Sequence, residues 1–323
     1  MKIILHEKLM QALLIAACSM GVMASANAQQ YLRIGTGGTA GTYYPIGKLV
    51  AGIVSRPDIL LATAQASNGS LGNVIAVSSG ALETGFSQAD VATWAMKGTG
   101  IFEGRPGLSD LRLIANLYPE SMHVVVRKDS GIQSISDLKG KRVALDEPGS
   151  GTLISARQIL AAYHLQESDL RPEYIKPNQA GDRLIAGTLD AFFFTGGAPA
   201  AAIADMASAG VVIALLPIDG GAADRLMRSS PFLQVDTIPA ETYKGIGAVK
   251  TLAVGAQWVA SERLSADLVY QVVKALYSEA GQKKLAEGHP KGKFITLGNA
   301  VKGAGIPFHP GAERFYRETG MLK

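Results

Sequence analysis

Tyr31-Leu-Arg-Ile-Gly-Thr-Gly-Gly-Thr-Ala-Gly-Thr-Tyr-Tyr-Pro-Ile-Gly-Lys-Leu-Val-Ala-Gly-Ile-Val54 reads as one complete strand–turn–helix unit. Tyr31 to Ile34 is a short β-prone run, Gly35 to Gly41 is glycine-rich, and Tyr44 to Val54 places its apolar residues at helical spacing. The same alternation continues outward. Ile59 to Ala66 predicts a second strand, Ser70 is placed to cap a helix through Leu71 to Val77, and Glu83 to Ser87 leads as a strand into a helix from Asp90. Leu111 to Leu117 and His123 to Arg127 are β-rich runs flanking Tyr118-Pro119-Glu120. The pattern then restarts. Asp137 to Lys141 precedes a strand from Arg142 to Leu145, Gly149 to Thr152 opens a helix through Tyr163, and Asp190 to Phe194 is a buried strand before another glycine-rich turn. Strands alternating with helices imply an α/β chain with largely parallel sheets, the second half repeating the first.

The N-terminus and composition set the setting of this fold. Residues 1–28 carry Lys2 and Lys8, an apolar stretch from Leu9 to Met23 and an Ala26-Asn27-Ala28 ending, the pattern of a cleaved export signal. The apolar run is shorter than the ~20 residues that span hydrocarbon. Cys18, after Ile15-Ala16-Ala17, offers a lipoprotein signal as the lesser alternative; in both cases the folded part lies outside the cytoplasm, in the periplasm. Removing the first 28 residues leaves 295 of 323, enough for two domains of about 150 residues. Cys18 is the only cysteine, so the cleaved chain has neither a disulfide nor a thiolate nucleophile. The formal charge of +4 becomes +3 once Lys2, Lys8 and Glu7 are removed. That is too small and too dispersed for a nucleic-acid partner, yet compatible with an anionic ligand.

In sheets of this kind ligands bind beyond the carboxyl ends of the strands, where loops and helix N-termini gather. Five loops of this chain occupy such positions. Gly37 to Tyr44 contributes Gly38, Thr39, Gly41, Thr42 and Tyr43; Ser67 to Ser70 contributes Asn68; Ser87 to Asp90 contributes Ser87 and Gln88. Gly149 to Thr152 contributes Ser150, Gly151 and Thr152, and Thr195 to Pro199 contributes Gly197, with Phe194 at the end of the preceding strand and Tyr118 beside the cleft. Glycine lets backbone N–H groups approach a ligand, and an unpaired helix N-terminus carries partial positive charge, so several such loops facing one cleft would cradle a carboxylate. Any one of them alone is as well explained as a tight turn before a helix.

Three sharper chemistries fit less well. Gly35-x-Gly37-x-x-Ala40 mimics a dinucleotide fingerprint, but the acid that should follow, Asp58, precedes the second strand instead of ending it. Gly85-Phe-Ser87-Gln-Ala89 imitates a nucleophile elbow, which makes a Ser87 hydrolase the enzyme alternative, although Ser87-x-x-Asp90 is also a capping pattern. His123, His164, His289 and His309 form no His-x-x-x-His or His-Glu pair, so neither a metal nor another cofactor is expected. Arg157 and Arg183 could reach a second carboxylate, but both fall in helical patterns where exposure is the default.

Gly35 to Gly47, Leu117 to Glu120 followed by His123 to Ile132, Asp137 to Val143 and Pro148 to Thr152 resemble the TAXI family of solute receptors that serve tripartite ATP-independent periplasmic (TRAP) transporters. The likeness continues through Asp190 to Phe194, Gly197-Ala-Pro199, Ile238 to Tyr243 and Pro307 to Glu318, in the family's order; Ala40 and Ala66-Ser67-Asn68-Gly69 depart from its glycine-rich pattern. The resemblance implies a type II periplasmic-binding-protein fold, two α/β lobes joined by hinge strands with a ligand cleft between them. Residues 29–122 and 251–323 would form lobe I and residues 123–250 lobe II, with crossings near His123 to Arg127 and Thr251 to Val259. It further implies a monomer without catalysis that closes on a small carboxylate or amino acid, such as glutamate or 2-oxoglutarate, and presents it to TRAP permease subunits. The same fold serving an ATP-binding-cassette (ABC) transporter or a sensor is the alternative use.

Overall fold

The computed structural model describes residues 29–323; both readings of the N-terminus, cleavage after Ala28 and lipidation at Cys18, fall outside them. Ten strands are formed: β1 (Gln30–Gly35), β2 (Leu60–Gln65), β3 (Thr84–Gln88), β4 (Leu111–Arg127), β5 (Arg142–Ala144), β6 (Arg171–Glu173), β7 (Ala191–Gly196), β8 (Ile213–Leu215), β9 (Leu233–Ile238) and β10 (Val249–Ser261). The helices of the first half are α1 (Tyr43–Val54), α2 (Ser70–Ser79) and α3 (Ala89–Lys97). Those of the second are α4 (Gly151–Ala162), α5 (Pro177–Ile185), α6 (Ala201–Ser208) and α7 (Gly220–Ser229), and the chain ends with α8 (Ala266–Leu276), α9 (Glu279–Gly288), α10 (Leu297–Ala300) and α11 (Pro310–Glu318). Among the described residues no helix is long and apolar enough to cross a membrane.

The sheet runs β2-β1-β3-β10-β4-β7-β5-β6, with β8 beside β4 and β9 beside β10. β2, β1 and β3 are mutually parallel, as are β7, β5 and β6, and the antiparallel pair β4–β10 joins the two sets. This is the two-lobed α/β architecture of periplasmic binding proteins. β4 pairs with β10 as far as Ser121 and with β7 from Ser121 onward, while β10 pairs with β9 over Val249–Val254. The chain therefore passes between lobes inside two continuous strands, near Pro119–Ser121 and Ala253–Gly255.

β4 is one strand of 17 residues where two runs are expected around Tyr118-Pro119-Glu120. Proline has no N–H to give a ladder, which makes it a poor residue for a central strand. Here Pro119 stands opposite Gly255, and the register shifts between Gly255 and Gln257, so the irregularity absorbs it.

Each lobe buries apolar side chains on both sheet faces. In lobe I, Ile46, Val50 and Val54, one stripe of α1, pack with Phe86, Trp258 and Tyr316, while Val74, Val77 and Val91 close the other face against Leu111, Leu113 and Val259. The C-terminal segment is tied in through Leu113 N–H to Pro307 O (2.8 Å) and His309 N–H to Leu113 O (2.8 Å). Lobe II has one core around Val124, Ile159 and Phe193 and another around Phe192, Ile203 and Tyr243.

Candidate ligand-binding site

The parallel topology brings the starts of several helices to one place between the lobes. A pocket enclosing about 510 Å³ of empty space, open water at its mouth included, is lined by the first residues of α1, α2 and α4, by Gln88 before α3 and by Pro177 at the start of α5. The residues preceding α1, α2 and α3 are Thr42, Gly69 and Gln88, and none uses its side chain to cap its helix. Ser150 does cap α4, accepting from Leu153 N–H at 3.1 Å. Ser70, expected as a cap, is instead the first residue of α2; its hydroxyl accepts Gln88 N–H at 3.1 Å. Three helix starts thus meet at a space whose lining contains no lysine or arginine.

The polar side chains of the lining are strongly constrained. Gln88 is 1% exposed, and its Oε1 has no hydrogen-bond partner. Glu120, 2% exposed, accepts a hydrogen bond from Tyr43 Oη at Oε2 (2.9 Å), and Tyr43 Oη also lies 3.4 Å from Ser70 Oγ. Burial pushes the Glu120 carboxyl up to about 8; Tyr43 and Lys291 work against that rise and Asp90 adds to it. Asp146 is likewise buried and raised to about 6, and its φ of 71° puts a non-glycine residue in the left-handed region at the pocket wall. Glu147 at the same turn pairs with Lys176 at 3.4 Å.

Hydrogen bonds hold the lobes together around this space, Gln88 Nε2 to Ser155 Oγ (3.5 Å) among them. Thr42 Oγ1 donates to Gly197 O (2.5 Å), Asn68 Nδ2 to Pro148 O (3.2 Å), Gly72 N–H to Gly149 O (3.1 Å) and Ala202 N–H to Ala40 O (3.1 Å). The cleft is therefore seen closed, with loop touching loop.

Gly38, Gly41, Thr42, Tyr43, Asn68, Gln88, Ser150, Gly151, Thr152 and Phe194 all line the pocket, as the loop reading expects. Four expected residues do not. Thr39 is exposed outside the lining, and Gly197 is buried where a Cβ would meet Lys291, Thr42 and Tyr118. Tyr118 is packed behind the lining with its hydroxyl buried and unpartnered. Ser87 is fully buried and its Oγ donates to Gln88 O at 3.1 Å, because the alternation of β3 turns it away from the pocket that Gln88 faces. Arg157 and Arg183 pair on the surface with Glu167 and Glu173. Glu120, Asp146 and Glu147 were not expected. The lone acid in the β-rich run from Leu111 to Val126, and two acids directly before the Pro148-Gly149 turn, are the signals that point to them.

His123 and His309 make structural contacts. His123 Nε2 lies 3.0 Å from Tyr243 Oη, and burial lowers the ring to about 4; His309 Nδ1 accepts Gly311 N–H at 3.2 Å at the start of α11. Among the described residues no group of three or more His, Cys, Asp and Glu could hold a metal. The glycine run is likewise not a dinucleotide turn: a Cβ on Gly35 would lie 2.6 Å from Asn73 Oδ1 and from Leu82 Cδ1, so this glycine makes room for a helix side chain.

The fold is that of the periplasmic binding proteins. Structures similar to this chain include PhnD1 from Prochlorococcus marinus in complex with methylphosphonate (11% identity, 91% of this chain and 99% of that chain, TM-score 0.52) and a periplasmic transporter (12%, 90% and 93%, 0.52). The periplasmic aliphatic sulphonate binding protein SsuA from Escherichia coli matches at 16% identity over 81% of this chain and 74% of that chain, with a TM-score of 0.44. The chain belongs to the NMT1-like family, whose model matches residues 34–320. That membership corrects the resemblance to TAXI receptors of TRAP transporters. The strand–glycine–helix stretches that carried the resemblance are what a lobe of this fold needs to bring helix N-termini to a cleft, so they specify the fold and not the transporter.

Proposed function

We propose that this protein is an extracytoplasmic solute receptor that encloses a small organic oxyanion between its lobes and presents it to a membrane permease. The observation that carries the reading is the convergence of the α1, α2 and α4 N-termini on one pocket. The oxyanion is a carboxylate, sulfonate or phosphonate, since all three suit backbone N–H donors; methylphosphonate is the ligand of one protein of similar fold. With the TRAP assignment withdrawn, an ABC permease is the proposed partner. The periplasm is the proposed compartment and the protein acts without catalysis. The buried Ser87 hydroxyl, bonded to the neighbouring carbonyl, supports a receptor over a serine hydrolase.

Mass spectrometry of what the purified protein releases on denaturation, followed by calorimetric titration of carboxylates, alkylsulfonates and alkylphosphonates, tests this. A dissociation constant near the micromolar range, about −8 kcal/mol, is expected for one of these classes. The same ligand at 100 times its dissociation constant should stabilise the fold by about 2.7 kcal/mol. Binding only of neutral sugars, or of amines lacking an oxyanion, overturns the reading, as does ester or amide hydrolysis that Ser87→Ala abolishes.

A further inference from the structure

The pocket lining has no cationic side chain and carries three acids. Glu147 is already paired with Lys176. Glu120 and Asp146 are not paired in this way. Among the described residues Tyr43 is the one side chain that donates to Glu120, and it reaches only Oε2. Asp146 Oδ1 accepts the N–H of Glu147 at 2.8 Å, beside the hydroxyls of Ser150 and Thr152. Both acids sit in low-dielectric surroundings, where a hydrogen-bonding cation would strongly favour their ionised forms and a second anionic group would oppose them.

We infer that Glu120 and Asp146 are the specificity-determining residues of the pocket, selecting solutes that carry an ammonium group beside the oxyanion and discriminating against solutes whose second group is absent or anionic. This rests on the receptor reading above and names the class of solute. The oxyanion goes to the helix starts and the ammonium to the two carboxylates, so the ligand is a zwitterion: an amino carboxylate, amino sulfonate or amino phosphonate.

The other charged and titratable groups around Glu120 decide the pH behaviour. Tyr43 on α1 donates to it, Tyr118 stands two residues away on β4, Asp90 at the start of α3 opposes its ionisation, and Lys291, on the turn after α9, favours it. Burial dominates, so at neutral pH the empty pocket keeps Glu120 largely protonated. An arriving ammonium pulls this carboxyl into its ionised form, and its proton leaves to solvent. Affinity for a zwitterion therefore rises with pH up to about 8 and levels off above. A second anionic group would need the protonated acid as its donor, and its affinity would fall over the same range.

Matched pairs titrated by calorimetry test the inference: β-alanine against propionate, taurine against ethanesulfonate, and 2-aminoethylphosphonate against ethylphosphonate, each between pH 6.5 and 8.5. The pair that binds identifies the oxyanion. Within it the amino member should bind about tenfold tighter or more at pH 8, with affinity rising over the pH series and protons released to the buffer. Glu120→Gln should remove the pH slope and most of the discrimination. If Glu120→Gln does not fold, Asp146→Asn and the wild-type pH slope carry the same test. Equal or tighter binding of the partner lacking the amine, or affinity that falls with pH, overturns the inference and leaves the receptor reading standing. Failure of all six compounds, with other oxyanions also inert, removes both.

Discussion

Gly151 has no space for a side chain: a Cβ there would lie 2.3 Å from Gln88 Oε1 and 2.7 Å from Ser70 Oγ, two groups of the pocket wall. Both obstacles are side-chain ends, which can move while helix α4 still forms. Gly151→Ala should therefore displace the Gln88 carboxamide and reshape the site more than it disturbs folding. Loss of a charge-assisted hydrogen bond costs about 1.5–3 kcal/mol, so affinity should fall about tenfold or more, measured by titration calorimetry beside the melting curve of the empty protein. Unchanged affinity would make Gly151 a turn glycine only. Gly311 provides the opposite case, because a Cβ there would lie 2.0 Å from the backbone oxygen of Ala266 and 2.8 Å from Tyr270 N. Backbone cannot yield in that way.

At the scale of elements, Gly311→Ala pushes α11 away from α8 and should lower stability by about 2–3 kcal/mol. That is a melting temperature several degrees lower, with ligand affinity below the transition unchanged. Asn73 on α2 carries a comparable structural load. Its Nδ2 donates to Thr36 O (2.7 Å) and Phe86 O (2.8 Å), and its Oδ1 accepts from Ser67 Oγ (2.7 Å), so one amide joins the ends of β1 and β3 to the loop that holds Asn68. Gly35 and Gly85 both make room for it, since a Cβ on either would come within 3 Å of its side chain. Asn73→Ala leaves Thr36 O with the Ser67 hydroxyl (3.0 Å) and takes the amide donor from the buried Phe86 carbonyl, and should cost about 1–3 kcal/mol in denaturant unfolding. A loss below about 0.5 kcal/mol, the range of neutral surface changes, would show that water replaces the amide. The glycine spacing around Gly35 is visible in the sequence, but its reason is not: a fingerprint and a packing clearance look alike until the helix side chain opposite is placed.

For the whole molecule, the buried acids make the empty receptor weaker in alkali. Burial raises Glu120 from 4.5 to about 8, so the folded chain keeps a proton that the unfolded chain has released. The associated stability is fully present below 4.5 and lost as pH rises through about 8. Asp90 and Asp146, raised to about 6, act in the same sense at lower pH, while His123, lowered from 6.5 to about 4, opposes them there. Above pH 6.5 Glu120 dominates among these four. The melting temperature of the empty protein should fall between pH 6.5 and 8.5, and Glu120→Gln should flatten that fall; a flat wild-type profile would mean that solvent reaches this carboxyl. The sequence by itself determined the alternation of strands and helices, the restart of the pattern near Arg142 and the loops at the strand ends, because periodicity and glycine placement are local properties of the chain. It also pointed to Tyr43, Gln88 and Gly151, which lie where strands pass into helices. Only the tertiary structure decided that Ser87 faces away while Gln88 faces in, that β4 runs unbroken through Pro119, and that Glu120 and Asp146 meet one pocket from different lobes. Those outcomes depend on strand register and on residues distant in sequence excluding water from a shared space, which no local pattern encodes.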